Sequence, residues 1–290
     1  MNETQVNALR QELEAAKAQV DALNAELDET NKGVVALYAE LDDKANQLGE
    51  SLQLKSRFLS YMSHEFRTPL TAITSITHIL LQQMDGPLSP EQKKQVEFVR
   101  ASAVELSDMV NDLLDLAKMD AGRIAISPEW FDMVDLFSAL RGMFKPMLTQ
   151  SAVTLVFEES DQMPKFYTDD KKLSQILRNF ISNALKFTRE GEIRVGARRM
   201  PEEKVEFSIT DTGIGIAAEH LPTLFEDFVQ LDNRLQKRLR GSGLGLSLSK
   251  RFAELLGGNV GVESELGKGS RFWVSIPLHF ENAAIRDSPT

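Results

Sequence analysis

Apolar positions along the first fifty residues recur with a heptad rhythm. Val6, Leu13, Val20, Leu27, Val34, Leu41 and Leu48 hold one seam position, and Leu9, Ala16, Leu23, Thr30 and Leu37 hold the other. A stripe kept over about six heptads predicts a coiled coil, and Val facing Leu at the two seam positions favours a parallel dimer. Thr30, Gly33 and Lys44 weaken its second half. The segment reads either as a plain dimerisation stalk or as a stalk whose register carries a signal.

Helical spacing continues through Phe58, Met62, Phe66, Leu70, Ile73, Thr77 and Leu80, and ends at the punctuated run Met84 to Pro90. Ser89 followed by Pro90 has the form of an N-cap and a first helical residue. A second stripe runs through Val96, Val99, Ala103, Leu106, Val110, Leu113 and Ala117 and stops at Gly122. Two long amphipathic helices joined by a short loop predict an antiparallel hairpin, and two copies would close a four-helix bundle.

The pattern changes after Ser127-Pro128, which marks a linker. Helices are expected over Asp132–Thr149, Asp170–Thr188 and Leu244–Leu256. Strands are expected over Ala152–Glu158, Glu192–Arg199, Lys204–Asp211, Asn259–Glu263 and Ser270–Leu278. Neighbouring strands look joined as hairpins, so the mixed order predicts an α+β sandwich rather than a doubly wound sheet. The tail from Glu281 to Thr290 is expected to fray.

Composition then narrows the chemistry. The 290 residues carry 33 Lys and Arg against 43 Asp and Glu, a formal net charge of −10. Nucleic-acid affinity rests on neutralising phosphates, so such a chain is a poor nucleic-acid binder. There are no cysteines, which excludes disulfides, thiolate catalysis and Cys-based zinc sites and is compatible with the cytosol. No apolar stretch approaches a membrane span, and the polar, acidic N-terminus does not have the form of a signal peptide.

Four strings carry candidate chemistry. In Phe58 to Leu70, His64 sits between the seam residues Met62 and Phe66. A lone helical histidine is ordinarily a surface or packing residue. Here Glu65 can orient the imidazole and take its proton, Thr68 shares its helix face, and Pro69 removes a helical hydrogen bond just beyond it. In Gln175 to Thr188, Asn179, Asn183 and Lys186 share one face; amide oxygens suit Mg2+ and a lysine suits phosphate. In Asp211 to Ile216, two glycines follow a strand and permit close approach to backbone. In Gly241 to Leu246, a glycine-rich turn opens a helix, where amides favour anions. That turn lacks the Gly-Lys-Ser/Thr of a P-loop and sits in no βαβ unit, so it is neither a Walker nor a Rossmann site.

Together these strings resemble the sensor histidine kinases of two-component signalling, over about residues 55 to 279. Ser63-His64-Glu65-Phe66-Arg67-Thr68-Pro69-Leu70 resembles the H-box. The resemblance implies that His64 is the phosphoacceptor, Glu65 the general base, and Thr68 the residue that positions water for dephosphorylating a partner. The asparagine string resembles the N-box, which implies Mg2+ on Asn183 and nucleotide contacts from Asn179 and Lys186. Asp211, Gly213 and Gly215 resemble the G1 box, with Asp211 accepting from the adenine amino group. Gly241, Ser242, Gly243, Leu244 and Gly245 resemble the G2 box, with Ser242 where Thr is commoner. Phe225 to Phe228 resembles the F-box, with Asp227 where a basic residue is often found. The basic run beyond it offers Arg234, Lys237, Arg238 and Arg240 as cations of a lid over the phosphates. His78, His220 and His279 match no motif.

The implied organisation is a coiled-coil signalling stalk (1–54), a dimerisation and histidine-phosphotransfer hairpin (55–126), an ATP-binding domain of the Bergerat or GHKL type (127–280) and a flexible tail (281–290). The implied protein is a cytoplasmic homodimer, joined through hairpin and coiled coil, that uses ATP and Mg2+. It would phosphorylate itself on His64, pass the group to the receiver domain of a response regulator, and answer to an upstream sensor or sensory partner. Two rivals remain: a chaperone- or topoisomerase-type ATPase sharing the nucleotide boxes, and a silent dimeric scaffold.

Overall fold

A computed structural model of the chain describes residues 3–84, 86–148, 152–158, 163–230 and 243–280. It divides into two compact units, Met1–Phe58 and Leu59–Thr290. The first unit is helical throughout its described residues, as part of helix α1 (Glu3–Leu81). Its seam residues Leu13, Val20, Leu23, Leu27, Leu37, Leu41 and Leu48 are each more than half exposed. An apolar stripe of this kind has nothing to bury itself against within a single chain.

In the second unit, α1 runs on through Pro69 and is followed by α2 (Pro90–Asp120). The start of α2 is set by a capping box: Gln92 N–H donates to Ser89 Oγ at 3.2 Å, and Ser89 N–H donates to Gln92 Oε1 at 2.8 Å. Two orphan amides are satisfied there, and Pro90 needs no partner for its nitrogen. The helices pair through Arg67, whose Nη2 donates to Asn111 Oδ1 at 2.9 Å, and bury Leu70, Ala103, Leu114, Leu116 and Ala117.

The ATP-domain region is a five-stranded sheet packed against three helices. The sheet order is β2-β4-β5-β7-β6, from β2 (Ala152–Phe157), β4 (Glu190–Met200), β5 (Lys204–Asp211), β6 (Asn259–Glu265) and β7 (Gly269–Pro277). Two-residue alternation decides which face is covered. Val205, Phe207 and Ile209 of β5, Ile193 and Val195 of β4, and Phe272, Val274 and Ile276 of β7 all enter one core. That core is completed by α3 (Met133–Leu148), α4 (Asp170–Phe187) and α5 (Gly245–Leu255). The opposite face is polar: Glu206, 5% exposed, is held between Arg198 (Nε to Oε1, 2.9 Å) and Arg271. Helices cover one face only, which is the α+β sandwich expected.

Two features depart from the expectations. Hairpins were expected between adjacent strands, and one pairing is of another kind: β2 pairs with β4 in parallel, across the intervening α4. A parallel pair needs a long crossover, and α4 supplies it. A small second sheet was also unforeseen: β1 (Glu129–Phe131) pairs antiparallel with β3 (Phe166–Thr168). Three-residue strands carry too little alternation to show in sequence. Directly after β3, Asp169 does two jobs. Its Oδ1 accepts from Lys172 N–H at 3.0 Å and caps α4, while its Oδ2 accepts from Ser127 N–H at 3.0 Å and moors the linker.

Candidate functional site

His64 lies on α1 with its side chain 77% exposed. Its Nδ1 stands 3.8 Å from Glu65 Oε1, beyond hydrogen-bond length but within reach of one side-chain rotation. Nδ1 therefore faces the carboxylate, and Nε2 is the ring atom left for an incoming group. Thr68 Oγ1 donates to His64 O at 3.3 Å, one turn along the same face. The neighbouring Ser63 hydroxyl is buried in the hairpin and has no hydrogen-bond partner among the described residues.

The second cluster gathers where β5 ends. Asp211 follows Val205, Phe207 and Ile209 in the strand's alternation, so its carboxylate leaves the sheet on the core side and is only 6% exposed. Burial pushes its pKa above the usual carboxylate value, against the pull of backbone N–H groups from Gly213 and Ser270. Gly213 N–H donates to Asp211 Oδ1 at 2.8 Å. A Cβ at Gly213 would stand 2.6 Å from Phe187 O, 2.7 Å from Asp211 Oδ1 and 2.9 Å from Thr188 Oγ1, so only glycine lets these groups meet. Gly215, at φ +65°, is tight for a different reason: its close neighbour is the backbone of Glu265.

Thr188 is a site residue that sequence reasoning missed. Its hydroxyl is buried beside Asp211 and Gly213 and has no partner among the described residues. A buried hydroxyl without a partner is costly unless something outside the chain completes it, and the neighbouring Asp211 carboxylate has lone pairs beyond those its backbone donors use. An adenine edge, which offers one donor and one acceptor side by side, fits that pair. In sequence Thr188 is only the residue after a helix end, and no spacing rule marks it.

The asparagine face of α4 is linked to the start of α5 by a relay. Asn183 Nδ2 donates to Asn179 Oδ1 at 3.4 Å, Asn179 Nδ2 to Ser249 Oγ at 2.8 Å, and Ser249 Oγ to Gly245 O at 2.8 Å. Ser249, also unforeseen, is what ties the two nucleotide strings together. A Cβ at Gly245 would come within 2.4 Å of Asn179 Oδ1, so the glycine permits this approach. With its nitrogen spent inward, Asn183 keeps Oδ1 for an outside partner. No cluster of three His, Asp or Glu side chains suited to a metal occurs among the described residues. A hard cation therefore fits Asn183 only if most of its ligands are phosphate oxygens and water. Lys186, half-buried on the same helix, has its pKa lowered by burial, with Glu105 of α2 pulling the other way.

Phe225 is half-buried and Phe228 exposed; Phe228 has φ 64°, and its N–H donates to Gly243 O at 3.1 Å. The F-turn thus abuts Gly243, itself at φ +73°, and Leu244, which is buried as α5 begins. Arg234, Lys237, Arg238, Arg240, Gly241 and Ser242 lie outside the described residues, as does the tail 281–290. No helix among the described residues is long and apolar enough to cross a membrane.

Comparison with known proteins places these two clusters in two families. Residues 54–122 match the His Kinase A (phospho-acceptor) domain, and residues 168–279 match the histidine kinase-, DNA gyrase B- and HSP90-like ATPase. The chain is 39% identical over 236 residues to the sensor protein GacS of Pseudomonas syringae pv. syringae, covering 79% of this chain and 26% of that protein. It is 36% identical over 249 residues to the autoinducer 2 sensor kinase/phosphatase LuxQ of Vibrio vulnificus, covering 83% of this chain and 28% of LuxQ. The chain thus spans about a quarter of the length of these relatives. Among solved structures, full-length ShkA in complex with AMPPNP aligns with TM-score 0.64 and 33% identity, over 79% of this chain and 47% of that one. An exposed histidine on a helix inside the phosphoacceptor-domain match, a nucleotide fold inside the ATPase match, and likeness across both to two sensor kinases show that this chain carries the two domains of a histidine kinase.

Proposed function

We propose that the chain moves the γ-phosphoryl group of ATP onto His64 and then to an aspartate on the receiver domain of a separate response regulator. The observation that carries this reading is the occurrence, in one chain, of an exposed His64 and of a buried Asp211 beside the unpartnered Thr188 hydroxyl. His64 Nε2 attacks phosphorus as the bond to the β-phosphate oxygen breaks, and the Nδ1 proton passes to Glu65. Asp211 accepts from the adenine amino group. Asn179 and Lys186 hold the nucleotide, and the Gly243–Gly245 turn brings backbone amides toward phosphate. Mg2+ bound through Asn183 Oδ1 would offset charge on the phosphates. Most of the catalysis is positioning and electrostatics, because a loose phosphoryl-transfer transition state asks little bond-making of the protein beyond the attack by His64.

Thr68, one turn from His64, would hold a water against a phosphorylated regulator, which gives the opposing phosphatase activity. LuxQ is described as a kinase/phosphatase, which supports that extension. The exposed seam of the first unit and the amphipathic hairpin support a homodimer. Use of ATP and a receiver partner supports a cytoplasmic setting, with the stimulus arriving from an upstream sensor. The gyrase- and chaperone-type reading is disfavoured by the phosphoacceptor match over residues 54–122.

Labelling with γ-labelled ATP and Mg2+ tests the proposal. The expected product is acid-labile and base-stable phosphate on the protein, absent in His64→Gln and transferable to a receiver domain. Persistence of label in His64→Gln would end the kinase reading.

A further inference from the structure

The covered face of the sheet is apolar until its last row. Across β5, β7 and β6, the register sets Phe207 beside Val274 and Val260, and Ile209 beside Phe272 and Val262. The next row on that side is Asp211, Ser270 and Ser264. Asp211 is the proposed adenine acceptor, and the two serines have no part in the contacts proposed for the nucleotide.

Ser264 is the hub of that row. Its Oγ accepts from Ile216 N–H at 2.8 Å and lies 2.9 Å from both Gly269 O and Ser270 Oγ. A carbonyl only accepts, so the one proton of Ser264 goes to Gly269 O, and Ser270 Oγ donates to Ser264. The Ser264 hydroxyl is then saturated, with one bond given and two received. The Ser270 hydroxyl proton is thereby held away from Asp211, its cross-strand neighbour, which keeps the Ser270 backbone N–H as a donor.

The same hydroxyl fixes the turn that carries Gly213. From the side of the β6–β7 hairpin, Gly267 N–H donates to Ile214 O at 2.7 Å, Gly215 packs on the Glu265 backbone, and Ser264 holds Ile216 N–H. The first two ties are made by backbone. The third depends on one side-chain oxygen, and losing it strands a half-buried amide. Gly269, at φ +105°, leaves no room for a Cβ beside Asp211 O, so the hub and the carboxylate share one closely packed corner. We infer that Ser264 is a positioning residue for adenine recognition: its hydroxyl sets the Gly213–Ile216 turn and turns the Ser270 proton away from Asp211, which keeps that carboxylate open to an amino-group donor. The inference rests on the reading of Asp211 as the adenine acceptor and deepens it.

The test titrates the full chain calorimetrically with ADP and with inosine diphosphate. Adenine presents an amino donor where hypoxanthine presents a carbonyl acceptor, so the ratio of the two affinities reads the contact with Asp211. The parent should prefer ADP. Ser264→Ala should weaken ADP about fivefold to thirtyfold, the scale of a lost hydrogen bond to a buried amide. It should weaken inosine diphosphate about twofold or less, so the ratio narrows. Ser264→Thr keeps the hydroxyl and should restore both the ADP affinity and the ratio. A general loosening of the domain would instead weaken both nucleotides alike; a parent-like ratio in Ser264→Ala, or parent-like ADP affinity, overturns the inference. If Ser264→Ala does not fold, Ser264→Cys decides in its place, since it keeps the volume and weakens the hydrogen bonds: a narrowed ratio supports the role and a parent-like ratio overturns it. A parent with no preference for ADP ends the adenine reading itself, and the positioning role falls with it.

Discussion

His64 and Asp211 show opposite ways of preparing a polar side chain for work. His64 stands in solvent on a helix, with its helpers Glu65 and Thr68 within four residues of it. Asp211 is buried at the end of a strand, and its surroundings come from Phe187, Thr188, Gly213 and Ser270, brought together by the sheet and by α4. The exposed group costs the fold nothing and acts on what is delivered to it. The buried group carries a desolvation penalty in every molecule, and a ligand that completes its hydrogen bonds recovers it. On the proposed reading His64 meets two large partners in turn, a nucleotide domain and a regulator, and such a site has reason to be open. A site that must hold one small planar base has reason to be closed.

The sharpest break in that contrast is His64→Gln. Labelling from ATP should fall to background while nucleotide affinity and Tm stay at parent values, measured by calorimetry and thermal melts. A large loss of stability would mean that His64 is less independent of the fold than its exposure shows.

Asp211→Asn should do the reverse. Affinity for ATP falls about tenfold to a hundredfold, the range for a hydrogen bond to a charged group, while the ligand-free protein loses no stability. The sign comes from linkage. A carboxyl whose folded pKa is raised binds its proton more tightly when folded, so it favours folding at low pH, and that contribution is lost as pH rises through the folded pKa. At neutral pH Asn keeps the acceptor for Gly213 N–H and drops the buried charge. Urea titrations from about pH 3.5, near the ordinary carboxylate pKa, up to about pH 7 check this: the parent should lose stability with rising pH relative to the variant.

Asp169→Ala lies between the extremes, since one carboxylate serves both a helix start and the linker. It should cost about 1–2 kcal/mol of unfolding free energy, read from denaturant midpoints. The smallest expected change is Thr188→Val. Nucleotide affinity should fall about threefold to tenfold with stability unchanged or slightly raised, because an unpaired hydroxyl is exchanged for a methyl.

The same contrast explains what could be read from the chain alone. His64, Glu65 and Thr68 form one continuous string, and helical spacing suffices to group them. The strands β4 to β7 and helices α4 and α5 announced themselves through alternation and amphipathic faces. Thr188 and Ser249 did not, because their roles depend on groups distant in sequence: Asp211 for one, Asn179 for the other. The parallel β2–β4 pair was hidden for the same reason, since strand pairing across a helix leaves no local mark. Arg251 carries no local mark either, since its partners Asp120 and Asp227 lie 131 and 24 residues away in the chain.

The mooring of Ser127 on Asp169 has one more consequence. It bounds the link between hairpin and nucleotide domain: Ala121 to Ser127, seven residues from the last turn of α2, with Ile124 and Ile126 packed on the nucleotide-domain core, and these would form the tether if that domain swung free. Fully drawn out, such a tether spans about 25 Å. A reactant leashed that closely sees its target at an effective concentration on the millimolar scale, whatever the cell's supply of the protein. Lengthening the leash by inserted glycines and serines would dilute the reactant without touching either site, so the spacing of this linker is itself a rate constant written in residues.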